Sequence, residues 1–236
     1  MTEPANQPTS WARARQHRAA YDVVLFDLDG TLIDPRLAIT GSVQYALAEQ
    51  GIKVSDPDDL LPFIGPPLIE SFQRYYGLDL AQAVEAVEAY RFAFREWGMA
   101  HNRPYPGIEQ LLQALVGSGA TLAIATSKAT LFAEEILHRS VGFGRYFDLI
   151  VGSNLDHTRV AKQEVIAHVL AERPRYRERS IIMVGDREHD IHGARAHGIG
   201  TIAVAYGYGS LEEFAAASPL AVAQSVEHLG QLLGVW

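Results

Sequence analysis

The sequence predicts an α/β fold: a parallel sheet covered by helices on both faces, with a second, helical unit inserted after the first strand. Three observations lead there. Short, β-branched apolar runs recur at Val23 to Phe26, Leu122 to Ala125, Leu149 to Val151, Ile181 to Val184 and Thr201 to Val204, each ending in small or polar residues. Helix-period segments lie between most of them, including Leu131–Ile136 with Leu137, Val165–Val169 with Leu170, and Ile191–Ala196. Strands alternating with helices read as βαβ units, and continuous apolar strands as a sheet buried on both sides. The third observation is a break in this rhythm. Roughly 95 residues separate Phe26 from Leu122, too many for one crossover helix or for a loop.

Taken in order, residues 1–20 carry Pro4, Pro8, Arg13, Arg15 and Arg18 without an apolar block, which reads as a flexible tail and not as a secretory signal. The first strand and its turn occupy 21–36. The long interval then shows helical period, first over Ala38 to Ala48, and again where Leu80, Val84, Val87, Tyr90, Phe94 and Trp97 recur at three and four. That stripe reads first as the insert's own core, and alternatively as a hydrophobic substrate groove. Asp34-Pro35 and Arg103-Pro104-Tyr105-Pro106-Gly107 are boundary signals, so the insert is placed at 37–103 and the core at 21–36 with 104–236.

Composition narrows the function classes. With 236 residues the chain is long enough for a core and a small insert, and it holds no cysteine, so thiol nucleophiles, thiolate metal sites and disulfides are out. The net charge of −8 argues against nucleic acid polymers and anionic membranes as partners, and no apolar run approaches a membrane span. A cytoplasmic monomer or homodimer is expected. Any anionic substrate has to be held by local devices.

In a parallel α/β sheet, ligands bind beyond the carboxyl ends of the strands. After the first strand stand Asp27 and Asp29, in Phe26-Asp27-Leu28-Asp29-Gly30-Thr31-Leu32. Thr126, Ser127 and Lys128 follow the second, and Ser153 and Asn154 the third, with Lys162 opening the next helix. Gly185, Asp186 and Asp190 follow the fourth. Carboxylates, a hydroxyl and ammonium groups converging on one edge form the inventory for moving a phosphoryl group. Two acids straight after a buried strand need a counter-ion, and their spacing of two sends both side chains the same way on an extended chain. Only three of the 20 basic residues are lysine, and two of them, Lys128 and Lys162, fall at these strand ends. Lysine and arginine are not interchangeable at a tight site. Lys128 is expected at a helix start, where the helix dipole disfavours a cation, which points to a task other than helix stability.

These motifs resemble those of the haloacid dehalogenase superfamily, and within it the phosphoglycolate phosphatase-like branch with an α-helical cap after the first strand. The likeness runs from about Tyr21 to Trp236 and implies a Rossmann-like core with a cap. It implies a magnesium-dependent phosphatase for a small phosphorylated metabolite, working through an aspartyl-phosphate. By the resemblance Asp27 is the nucleophile and Asp29 the general acid/base. Thr126 is the hydroxyl donor to the phosphoryl oxygens, and Lys162 neutralises nucleophile and phosphate. The metal ligands implied are Asp27, the Asp29 carbonyl and Asp186, with Asp190 acting through water or behind them. Gly30 and Thr31 would let backbone amides approach phosphate, with Ser127 and Lys128 also on the substrate. In the cap, Gly65-Pro66-Pro67 stands where relatives place a substrate-contacting loop.

Departures from the family pattern leave alternatives open. Gln163 replaces a frequent proline, and Arg159 stands close enough to share the role of Lys162. Arg187 occupies a position often held by serine, a version similar to a 5′-nucleotidase-like subset. His189 and His192 raise a transition-metal alternative, and Tyr206-Gly207-Tyr208-Gly209 reads equally as an entrance or a plain turn. Phosphoglycolate, nucleoside 5′-monophosphates and sugar phosphates all remain open as substrates. A phosphomutase and a non-catalytic binding protein of the same fold are the alternative functions. A phosphonate-cleaving relative would need a cap lysine, and Lys53 is the one available.

Overall fold

The computed structural model describes residues 18–236, so most of the expected tail at 1–20 lies outside the described residues. The chain begins with β1 (Val23–Phe26), wholly buried, and β2 (Ile33–Asp34). Three helices follow, α1 (Arg36–Glu49), α2 (Leu68–Tyr76) and α3 (Leu80–Glu96), before β3 (Arg103–Pro104). Then come α4 (Ile108–Gly117), β4 (Thr121–Ala129), α5 (Thr130–Glu135), β5 (Phe147–Ser153) and α6 (Lys162–Glu172). The chain closes with β6 (Ile181–Gly185), α7 (Glu188–Arg195), β7 (Gly200–Val204), α8 (Leu211–Ala217), β8 (Ala221–Ala223) and α9 (Val226–Leu232).

Six strands form one parallel sheet in the order β5-β4-β1-β6-β7-β8. The α/β class is therefore as expected. β1 lies inside the sheet, between β4 and β6, and its four residues are fully buried because both faces are covered. Alternate side chains feed two cores: Val24 and Phe26 on one face, Val23 and Leu25 on the other. The connections run outward from β1 through β4 and β5, then return to β6 on its other side. That reversal opens a crevice at the carboxyl ends of β1, β4 and β6.

The helices between β2 and β3 pack chiefly on one another, with α1 against α3. A capping box fixes the start of α3: Asp79 accepts from the Gln82 amide at 2.8 Å, and Gln82 accepts from the Asp79 amide at 3.0 Å. Gly77, at φ 68°, ends α2 just before it. Where the chain leaves and regains the sheet domain, Ile33 pairs with Pro104 and Asp34 with Arg103 as a two-residue antiparallel ribbon. The sequence flagged both segments as boundaries without showing that they pair.

Two details depart from expectation. Leu80 and Trp97, the ends of the apolar stripe on α3, are exposed, and small residues take their place: Ala83, Ala86 and Ala93 are buried beside Val87, Tyr90 and Phe94. Lys128 lies within β4, and the next helix begins at Thr130, so Lys128 is a strand residue two positions ahead of the helix and not its first residue.

Candidate active site

Four acids gather at the carboxyl ends of β1 and β6. Asp27, Asp29, Asp186 and Asp190 are all buried, at 7% exposure or less. Asp27, Asp186 and Asp190 each bring one oxygen within 4.8 Å of the others. Burial, then the charges of Asp190 and Asp27, hold the Asp186 carboxyl well above the ordinary carboxylate range. Asp190 is raised as well, first by burial, with Lys162 working against it.

Two lysines answer these charges. The Lys162 ammonium lies 2.8 Å from Asp27 Oδ1 and 2.7 Å from Asp190 Oδ1, and donates to the Ala125 carbonyl at 2.9 Å. Burial lowers its pKa, but Asp190 and Asp27 more than reverse that and hold it charged. Its stem runs along α7, where a Cβ on Gly193 would fall 2.7 Å from Lys162 Cγ. Arg159 is engaged elsewhere: its Nε donates to the Gly152 carbonyl at 2.8 Å and its Nη2 to Thr130 Oγ1 at 3.2 Å.

Lys128 serves the other acid, donating to Asp29 Oδ2 at 2.7 Å, with its ammonium 4.4 Å from the centre of the Phe94 ring on α3. A shift in the β4–β5 register between Ala125 and Ala129 carries Thr126, Ser127 and Lys128 out of regular pairing and into the site. Gly152 permits this, because a Cβ there would lie 2.0 Å from the Lys128 carbonyl oxygen. Thr126 is buried, and its Oγ1 accepts from the Lys128 amide at 3.3 Å.

Asp29 and Asp27 therefore have different surroundings. Burial pushes the Asp29 carboxyl up, Lys128 pulls it down, and Asp27 pushes it up again, for a net rise. Its Oδ2 is taken by Lys128, while its buried Oδ1 has no hydrogen-bond partner.

Behind the acids, the Tyr206–Gly209 loop acts as a backing plate rather than an entrance. The Tyr208 amide donates to Asp186 Oδ2 at 2.8 Å, and the Tyr206 hydroxyl to the Thr31 carbonyl at 3.1 Å. The Tyr208 hydroxyl bonds Asp34 beside the ribbon. Gly30, at φ 74°, comes so close that a Cβ would lie 2.0 Å from Asp186 Oδ2.

A cavity of about 240 Å³ opens in front of Asp27 and Asp29, between the sheet and helices α2 and α3. Thr126, Ser127, Lys128, Gly65 and Pro66 line it, as do Val87 and Tyr90, so part of the α3 stripe serves as core and wall together. Gly30 and Thr31 do not line it; Gly30 abuts Asp186, and the buried Thr31 hydroxyl has no partner. The sequence reading missed Arg91, His157, Phe63 and Phe132 among the lining residues. Arg91 donates through Nη1 to Glu88 and to the Leu155 carbonyl at 2.8 Å, bridging α3 to the loop after β5. In that loop His157 is held at φ 65°, uncommon for a residue with a side chain. Only the strained loop geometry reveals His157, and no local pattern announces it.

The acid cluster has the donors for a hard divalent cation. All of its ligands are oxygen, Asp186 Oδ1 is buried without a partner, and four carboxylates face two ammonium groups. Neither His189 nor His192 belongs to the cluster, and both line a separate hollow beside Lys162. Lys53 is exposed and outside the cavity.

Comparison with known proteins agrees with this geometry. The profile of the haloacid dehalogenase-like hydrolases matches residues 24–204. A 5′-nucleotidase of Pseudomonas aeruginosa is 48% identical over 90% of this chain and 96% of its own. The tyrosine-protein kinase PtkA of Mycobacterium tuberculosis is 40% identical over 94% of this chain and 76% of its own. A crystal structure from Clostridium acetobutylicum, titled a predicted phosphatase, superposes with a TM-score of 0.85 at 41% identity, covering 90% of this chain and 97% of the other. With the profile spanning most of the chain and the relatives nearly all of it, the chain belongs to the haloacid dehalogenase-like hydrolases, on the phosphatase side of that family.

Proposed function

We propose that the chain hydrolyses phosphomonoesters of a small metabolite, carrying the phosphoryl group transiently on Asp27, with a magnesium ion held by Asp27, Asp186 and the Asp29 carbonyl. The observation that carries this reading is the unequal pair at the cavity floor. Asp27 faces an ammonium at 2.8 Å, whereas Asp29 is pushed toward its protonated form and has a free Oδ1. Two carboxylates driven apart in this way supply a nucleophile and an acid at one pH.

In the first step the Asp27 carboxylate attacks phosphorus and the bond to the leaving oxygen breaks. Asp29 gives that oxygen its proton and becomes a carboxylate steadied by Lys128. In the second step a water attacks phosphorus, Asp29 takes the water's proton, and phosphate leaves with Asp27 restored. Thr126 and Ser127 lie where phosphoryl oxygens need donors, and Lys162 holds the nucleophile in place. Asp190 orients Lys162 and, through Oδ2, accepts the Arg187 amide at 3.1 Å. When bound, the ion supplies positive charge against the nucleophile and the phosphoryl oxygens. The helices above the cavity act as a cap that excludes water and meets the leaving group.

The walls favour a leaving group with an apolar body. Phe63, Ile69, Val87 and Phe132 offer an apolar surface for the flat body of a nucleoside, with Tyr90 and Arg91 for its polar edges. The relative named 5′-nucleotidase supports the same choice. Burial and the nearby Asp29 keep the Tyr90 hydroxyl protonated, so it is available as a donor.

Phosphate release across a broad panel of phosphorylated metabolites, with Asp27→Asn as the control, tests the proposal. Nucleoside 5′-monophosphates should be the best substrates, and Asp27→Asn should abolish turnover. Turnover of the variant within tenfold of the parent removes the covalent step. A sugar phosphate isomer formed without free phosphate would mean a mutase instead.

A further inference from the structure

Arg187 follows Asp186 directly, and its side chain reaches across to the helical insert. Its Nη1 donates to the carbonyl of Ile64, the residue before the Gly65-Pro66-Pro67 turn that lines the cavity. Its Nε donates to Glu213 on α8, at 3.0 Å to Oε1 and 3.3 Å to Oε2, and Glu213 Oε1 also accepts the Glu188 amide. The Arg187 amide meanwhile donates to Asp190 Oδ2 at 3.1 Å. One residue thus touches the acid cluster, α8 and the turn over the site. Arg187 and Glu213 are largely enclosed, with side-chain exposures of 17% and 14%.

The turn is shaped for this contact from its own side. Gly65 adopts φ 107°, and a Cβ there would lie 2.9 Å from Arg187 Cγ and 3.1 Å from Nη1. Only a residue without a side chain lets the arginine stem pass beneath. The planar guanidinium presents Nε and Nη1 in fixed and different directions, so it serves acceptors on two elements at once. A lysine offers a single compact head, and a serine cannot span the gap.

We infer that Arg187 is a positioning residue: with Glu213 and Gly65 it forms a clasp that sets the Ile64–Pro67 turn over the cavity from the loop carrying Asp186. Its effect on catalysis rests on the phosphatase reading above; its effect on the turn does not. The clasp governs how the leaving group is held, and leaves the acid cluster itself unchanged.

Arg187→Met keeps the stem and removes every side-chain donor, while Gly65→Ala pushes on the same stem from the other side. Amide hydrogen exchange of residues 61–68 in the full chain, with and without magnesium, reads the turn directly. Both variants should speed that exchange by about tenfold or more. With the best substrate from the panel, KM should rise about tenfold while kcat stays within about threefold, and half-activation by magnesium should not move. The double variant should be no worse than the more severe single one, because both break the same contact. Arg187→Lys should fail to restore either readout, and Glu213→Gln should weaken both in the same direction, which keeps the test open if Arg187→Met does not fold. Unchanged exchange in both singles overturns the clasp, as do strictly additive effects. So does a shifted magnesium requirement with unchanged exchange, which would assign Arg187 to the acid cluster. If the parent protein releases phosphate from no monoester, the phosphatase reading falls, and exchange alone still decides the clasp.

Discussion

Replacing Lys162 by methionine should unbalance the site in a way that magnesium can correct. The ammonium has a side-chain exposure of 3% and meets Asp27 Oδ1, Asp190 Oδ1 and the Ala125 carbonyl within 2.9 Å. Methionine fills much the same volume with no charge, leaving two buried carboxylates and a carbonyl without their shared partner. Breaking a buried pair from one side costs about 3–5 kcal/mol. For a chain of this size each kcal/mol moves the melting temperature by about 2–4 °C, so Lys162→Met should melt roughly 6–20 °C below the parent in a chelator. Saturating magnesium should recover part of that loss, since a divalent cation on Asp27 and Asp186 supplies some of the missing charge, and phosphate release should stay low because the nucleophile has lost its partner. The assay is thermal unfolding of parent and variant, each in chelator and in excess magnesium. A variant within about 2 °C of the parent in chelator refutes the pairing argument. A loss that magnesium does not reduce refutes the assignment of the cation to the same cluster.

Three further outcomes follow from the same geometry. Asp29→Asn should slow hydrolysis of an alkyl phosphate by about 10²–10⁴-fold and that of p-nitrophenyl phosphate far less, since a good leaving group needs little protonation; steady-state rates on the two substrates check it. Gly30→Ala places a methyl 2.0 Å from Asp186 Oδ2 at φ 74°, so magnesium half-activation should rise steeply, with about 1–2 kcal/mol of backbone strain visible in unfolding. Far from the site, hydrogen bonds from Tyr176 and Arg173 hold the Asp148 carboxyl below its usual range. A depressed folded pKa stabilises above the unfolded value and is lost as pH falls through the folded one, so the melting advantage of the parent over Asp148→Asn should be full above about pH 5 and shrink below about pH 4.

What the sequence could disclose was decided by whether a feature is local. Five of the six sheet strands were legible because they run as unbroken apolar stretches, whereas β8, at Ala221–Ala223, is short and small and carries no such signal. The β2–β3 ribbon joins residues about 70 positions apart through two pairs, too little for any periodicity to show. Asp27, Asp29, Thr126, Lys162 and Asp186 were found because each follows a strand end. Which lysine meets which acid was not legible, because that pairing is set across the sheet. Geometry of this kind brings Lys162 to 2.8 Å from Asp27 Oδ1, while Arg159 is tied to the Gly152 carbonyl. His157 and Arg91 belong to the cavity through loop and helix placement alone.

The charge count explains why these pieces belong together. Four buried carboxylates against two ammonium groups leave the cluster two negative charges in excess if all ionise, inside a chain already at −8. Such a site repels a phosphate dianion. Burial and mutual repulsion displace the carboxyls of Asp29, Asp186 and Asp190 upward, the direction that lessens this excess. A divalent cation bound there would offer the other relief and would compete with the proton for Asp186. Asp29 stands apart because burial and the charge of Asp27 push its carboxyl up against the opposing pull of Lys128, while Asp27 faces the Lys162 ammonium at 2.8 Å. The two acids of the pair are thus met by different lysines, Asp27 by Lys162, which also holds Asp190, and Asp29 by Lys128.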